Sequence, residues 1–165
     1  MRLNNFLKLV IAIVVSELAG IIGSVFTTPS IAGWYAGIVK PALNPPSWVF
    51  GPVWTILYAL MGISLFLVWK QHSNILQNVG MLRWWKIGIV VFFIQLFLNA
   101  AWSPVFFGAH LVGDALAIIV LLWAAIVLTI LIFKKISSPA AWLLVPYILW
   151  VSFAMYLNYA IWSLN

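Results

Sequence analysis

Residues 115–133 read ALAIIVLLWAAIVLTILIF, nineteen positions with no charge and a single hydroxyl, Thr129. As a helix rising about 1.5 Å per residue, this run measures roughly 28 Å, close to the thickness of a bilayer's hydrocarbon core. Four more stretches outward from it have the same character: Phe6–Phe26, Ser47–Trp69, Trp84–Phe107 and Ala140–Trp162. The segments between them carry the turn formers and almost every charge. The longest gap, Thr27 to Pro46, holds Pro29, Gly33, Gly37, Pro41, Pro45 and Pro46. The whole chain of 165 residues is 66% hydrophobic and 6% charged, against about 25% charged in an ordinary soluble domain, so it cannot cover a water-facing surface. The pattern predicts an all-α integral membrane protein, one domain over residues 1–165, folded as a five-transmembrane-helix bundle.

The basic residues set the expected orientation. Arg2, Lys8, Lys70, Arg83, Lys86, Lys134 and Lys135 fall on one side of such a bundle, and Lys40 alone falls on the other. Cytoplasmic segments are enriched in Lys and Arg, so the N-terminus is expected in the cytoplasm, with the long first loop and the C-terminus outside. The net charge of +6 then reflects topology, with the lipid bilayer and its anionic headgroups as partner. The scattered cations form no nucleic-acid stripe. Phe6–Phe26 is read as a span and not a cleaved leader, because it is longer than a usual leader core and contains Glu17. This balance favours a prokaryotic plasma membrane.

Several chemistries are excluded. The chain has no cysteine, and its two histidines, His72 and His110, are both expected in loops without metal-ligand spacing. Asp114 is expected as the N-cap of the fourth span. There is no paired-carboxylate site, no G-x-S-x-G and no phosphate loop.

Polar and aromatic residues recur at helical spacing. Gln95, Asn99, Trp102 and Phe106 in the third span fall within about 60° of one another on a helix. An amide facing lipid is costly, so this stripe faces the bundle interior. Trp54, Tyr58 and Met61 make a similar stripe in the second span. Trp150, Ala154 and Asn158 make another in the fifth, with Tyr147 nearby and a kink expected near Trp142 because Pro146 cannot donate its helical bond. Two readings stand for these stripes: helix packing joined by interhelical hydrogen bonds, or a pocket for a large, flat, mostly apolar ligand. In the first span, Ala12, Ser16, Gly20 and Ser24, with Ala19 and Gly23, form ladders of small residues that suit close helix packing within the bundle or between protomers. Of the eleven tryptophans, Trp48, Trp69, Trp84, Trp85, Trp142 and Trp162 lie at span ends, where indoles meet headgroups.

Long ordered motifs carry a resemblance. They are WYAGIVKP at 34–41, NPPSWVFGPVWTILY at 44–58, QLFLNAAWSPVFFG at 95–108, WLLVPYILWVSFA at 142–154 and LNYAIW at 157–162. Together these resemble the TspO/MBR family, the tryptophan-rich sensory proteins of bacteria, which are similar to the mitochondrial translocator protein. The resemblance implies a five-helix bundle, often a homodimer, with a pocket opening toward the first loop. It implies porphyrin as ligand or substrate, with no required cofactor. The family's pocket positions fall on Tyr35 and Pro45 of the first loop, Phe50, Trp54 and Tyr58 of the second span, Asn99 of the third, and Trp150 and Ala154 of the fifth. Gln95, Trp102, Phe106 and Tyr147 join them from the stripes. The cholesterol-type segment departs from pattern here, since Ser163 follows Trp162 where many relatives have arginine, which weakens a steroid reading.

The expected function is therefore binding and sensing of tetrapyrroles such as protoporphyrin IX. Two alternatives are a light-dependent porphyrin-degrading enzyme using Trp54 and Trp150, and a passive transporter of porphyrin or other apolar metabolites.

Overall fold

The computed structural model describes residues 4–165, so Arg2, one of the cations assigned to the basic end, lies outside the described residues. Among these residues there are helices and no strand. Helix α1 spans Asn5–Ala32, opened by the Asn4 side chain, which accepts the Leu7 N–H at 2.7 Å. The short α2 (Trp34–Gly37) follows, then a proline-rich stretch and a single 3-10 turn, Ser47–Val49, leading into α3 (Phe50–Trp69). Beyond the four-residue α4 (His72–Ile75), α5 covers Val79–Ser103 and ends in a π-helical turn, Pro104–Gly108. The last three are α6 (Val112–Ile136), α7 (Ser138–Leu143) and α8 (Val145–Leu164). Five helical segments are long and apolar enough to cross a membrane: Asn5–Ala32, Ser47–Ile75, Val79–Gly108, Val112–Ile136 and Ser138–Leu164.

Glycines set the closest helix contacts. A Cβ at Gly62 would stand 2.5 Å from the Ile13 Cα and 2.9 Å from the Ala12 carbonyl oxygen, so α3 meets the backbone of α1 directly. Gly88 on α5 lies against Ile132 and Phe133 of α6, where Phe92 and Phe133 stack at 5.9 Å. The α1 ladder residues Ala12, Ser16, Ala19 and Gly23 are buried inside the bundle, whereas Ser24 is exposed. Packing within one chain therefore accounts for most of the ladder.

Three local details depart from the sequence expectation. Helix α1 runs six residues past Phe26, straight through Pro29, since a proline near the end of a helix removes one bond that the last turn can lose. Asp114 is not an N-cap: His110 turns the chain at φ 59°, α6 starts at Val112, and Asp114 sits in its first turn. Its carboxylate still lies at the positive end of the helix dipole. The kink expected near Trp142 is present as a break at Leu144, between α7 and α8, but Pro146 sits in the first turn of α8, a position that needs no donor, and not inside one continuous helix.

Contacts between helix ends fix an alternating order. The Trp85 indole donates to the Val68 carbonyl at 2.9 Å, and Lys135 stands 3.5 Å over the Trp84 ring. The end of α3, the start of α5 and the end of α6 thus share one end of the bundle, with Lys70, Arg83, Lys86, Lys134 and Lys135. At the other end, the Asn165 side chain bonds both the N–H and the carbonyl of Val39 in the first loop.

Candidate functional site

A cavity of about 460 Å³ lies between α1, α3, α5, α6 and α8 and extends under the first loop. Helical spacing builds its aromatic walls. Trp54 and Tyr58, one turn apart on α3, stack at 5.4 Å. Trp102 stacks on Phe106 at 4.8 Å across the π-helical turn, which carries Phe106 and Phe107 together to the loop end of the cavity. From α8, Trp150 meets Phe50 edge-on at 6.0 Å, and Ala154 leaves room beside it.

A line of polar side chains crosses the wall. The Tyr58 hydroxyl donates to Asn99 Oδ1 at 2.5 Å, Asn99 Nδ2 donates to the Tyr147 hydroxyl at 3.0 Å, and that hydroxyl donates to Gln95 Oε1 at 2.9 Å. Each oxygen in this line has a partner in an interior where an unpaired polar group is expensive. Farther along, Trp102 Nε1 donates to Asn158 Oδ1 at 2.9 Å while Asn158 Nδ2 donates to the Val112 carbonyl at 2.8 Å. Two buried donors have no partner among the described residues, Gln95 Nε2 and Trp150 Nε1. Trp150 is the one of the two that lines the cavity.

The first loop closes one end. The Tyr35 hydroxyl donates to Asn44 Oδ1 at 2.8 Å, and Asn44 Nδ2 donates to the Pro45 carbonyl at 3.1 Å. Lys40 Nζ lies 4.8 Å from the Tyr35 ring centre and donates to the carbonyls of Ala36 and Ile38. Burial pushes the Tyr35 phenol above its ordinary value. Trp34 stacks on His110 at 4.3 Å, so His110 braces the loop.

Of the residues singled out from sequence, Tyr35, Phe50, Trp54, Tyr58, Asn99, Trp102, Phe106, Trp150 and Ala154 line this one cavity. Gln95 and Tyr147 stand behind its wall as the far end of the polar line, and Pro45 sits beside Asn44 without reaching the cavity. Sequence reasoning missed the α1 contribution. Glu17, Ile21, Ser24 and Thr28 line the cavity at spacings of four, three and four, a stripe open to the same periodicity argument as the others. Ile21, Ser24 and Thr28 are exposed, as are Trp48 of the 3-10 turn and Gly51 and Thr55 of α3, which also line the cavity. The cavity is thus unsealed along the seam between α1 and α3. No group of His, Cys, Asp or Glu able to hold a metal occurs among the described residues. Flat aromatic walls with a few fixed polar groups suit capture of a planar apolar molecule.

The model of the TspO/MBR family matches residues 12–163. The chain belongs to the TspO/MBR family. It is 45% identical over 166 residues to the tryptophan-rich protein TspO of Chlorobaculum tepidum, covering 98% of each chain. It is 42% identical to the tryptophan-rich protein TspO of Archaeoglobus fulgidus, over 98% of this chain and 99% of that one. It is 38% identical to the translocator protein of Homo sapiens, over 90% of this chain and 85% of that one. With its five apolar helices, this TspO/MBR chain is a multi-pass membrane protein.

Proposed function

We propose that the protein binds tetrapyrroles such as protoporphyrin IX in the cavity, as a membrane-embedded sensory protein. The observation that carries this reading is the convergence of Trp54, Tyr58, Trp102 and Trp150 on one cavity of about 460 Å³, with Asn99 as a fixed polar group. A cation stands just outside the lining at the loop end, and an acid stands within the lining. Lys40 stands over Tyr35 at the loop end, and Glu17 lines the α1 side. A tetrapyrrole with acidic side chains seats them toward the loop, where Lys40 and interfacial water meet them. The membrane is proposed to be a prokaryotic plasma membrane, with the lysine- and arginine-rich end inward.

A second reading is favoured by the placement of Trp54 and Trp150 on the same cavity. Two oxidisable indoles beside a photo-excited porphyrin suit light-dependent degradation of the ligand by dioxygen. The open α1–α3 seam also suits passive transfer of porphyrin to and from the bilayer.

One experiment separates the first two. Purified protein is titrated with protoporphyrin in the dark, read by tryptophan quenching, then illuminated and followed by absorbance, with Trp54→Phe and Trp150→Phe alongside. Saturable binding with bleaching no faster than that of free porphyrin supports the sensor. Bleaching to a defined product that depends on both tryptophans supports the enzyme, and no saturable binding overturns the tetrapyrrole reading. Porphyrin flux into sealed vesicles tests transfer.

A further inference from the structure

Glu17 lies near the middle of the 28-residue α1, the only acidic residue in the interior of any span. It lines the cavity and is partly exposed, so its oxygens are not sealed away from a ligand. No described basic residue lies within ion-pair distance of it. Lys8, nine residues earlier on the same helix, is about 13 Å away along the axis. Tyr58 stands across the cavity from this part of α1, its ring packed on Gly20, one turn from Glu17. The Tyr58 hydroxyl, however, is already committed to Asn99. The polar line of the wall is thus complete without Glu17. A carboxyl group at this depth is costly unless something meets it, and intramembrane acids mark ligand or ion sites for that reason.

We infer that Glu17 is a ligand-binding residue at the membrane-side mouth of the cavity, and that it selects flat apolar molecules carrying a cationic nitrogen. Three observations converge on this. The carboxylate is unpartnered, the aromatic walls hold the flat body of the ligand, and the α1–α3 seam lets an amphiphilic cation arrive from the bilayer with its charge leading toward Glu17. Such a contact is a charge-assisted hydrogen bond shielded from bulk water. It needs no tetrapyrrole, so it stands apart from the proposed function.

The test uses three probes with one aromatic body: pyrenemethylamine, pyrenemethanol and pyrenecarboxylate. Each is titrated into the full chain in nanodiscs of zwitterionic phosphatidylcholine, read by energy transfer from tryptophan to pyrene, with empty discs subtracted. The amine should bind about tenfold more tightly than the alcohol, and the acid more weakly than both. Glu17→Gln and Glu17→Leu should each reduce the amine's advantage to less than about twofold, the amine losing several times more affinity than the alcohol. The inference is overturned if the amine's advantage survives both substitutions, if the alcohol's affinity falls as far as the amine's, or if no probe binds saturably. Protoporphyrin titrated into the same discs reports on the tetrapyrrole reading alone, so failure of either proposal is recognisable.

Discussion

At the scale of single residues, Asn99 is the central member of the polar line, accepting from Tyr58 and donating to Tyr147. Asn99→Leu leaves the Tyr58 hydroxyl without its acceptor and the Tyr147 oxygen without its donor. Thermal unfolding in detergent should show a loss of about 1–3 kcal/mol, and an unchanged midpoint would mean that water replaces the amide. Tyr35 gives a pH prediction. Its phenol ionises above the ordinary value of 10.0 because burial disfavours the anion. The stabilisation it gives the folded loop is therefore complete below pH 10.0 and is lost as pH rises through the elevated value. Tyr35→Phe should remove that alkaline loss from the unfolding profile. The residues legible in the sequence were those whose chemistry contrasts with lipid, such as Asn99 and Trp102. Tyr147 and Gln95 show the limit of that reading, because helical spacing gives the face of a side chain and not its depth. Both point inward, yet they stop behind the wall.

At the scale of elements, two positions three turns apart on one face of α3 behave oppositely. Gly62 faces the α1 backbone at contact distance, whereas a Cβ at Gly51 would meet nothing within 4 Å. Gly62→Ala should cost about 1–3 kcal/mol by forcing the helices apart. Gly51→Ala should be neutral or stabilise by roughly 0.5–1 kcal/mol through a lower entropy of the unfolded chain. Matched denaturation curves of the two variants check the contrast, and equal effects would mean that α1 and α3 do not hold this spacing in the bilayer. The spans were legible because hydropathy and length are properties of composition. The π-helical turn at Pro104–Gly108 was not, since the residues around it are apolar on nearly every side and the phase shift of one extra residue leaves no mark there. The start of α6 was misplaced for a related reason. The positive φ of His110 sets it, and histidine carries no strong signal for that conformation.

At the scale of the whole molecule, Lys70, Arg83, Lys86, Lys134 and Lys135 share one end and Lys40 stands at the other, which predicts the sidedness of the protein. The chain lacks cysteine, so single substitutions report topology cleanly. In intact cells a membrane-impermeant maleimide should label Leu43→Cys, whereas Asn74→Cys should react only after permeabilisation. The reverse pattern would invert the bundle. The unsealed seam between α1 and α3 has a consequence for how affinity itself is measured. A site open to acyl chains is never vacant in a membrane, so binding is an exchange in which a planar molecule displaces hydrocarbon. The governing concentration is then the mole fraction of solute dissolved in the bilayer, not its molarity in buffer. At fixed total solute, doubling the lipid should roughly halve occupancy for a strongly partitioning compound. Lipids with bulkier or more ordered tails should shift apparent constants without touching any side chain of the protein.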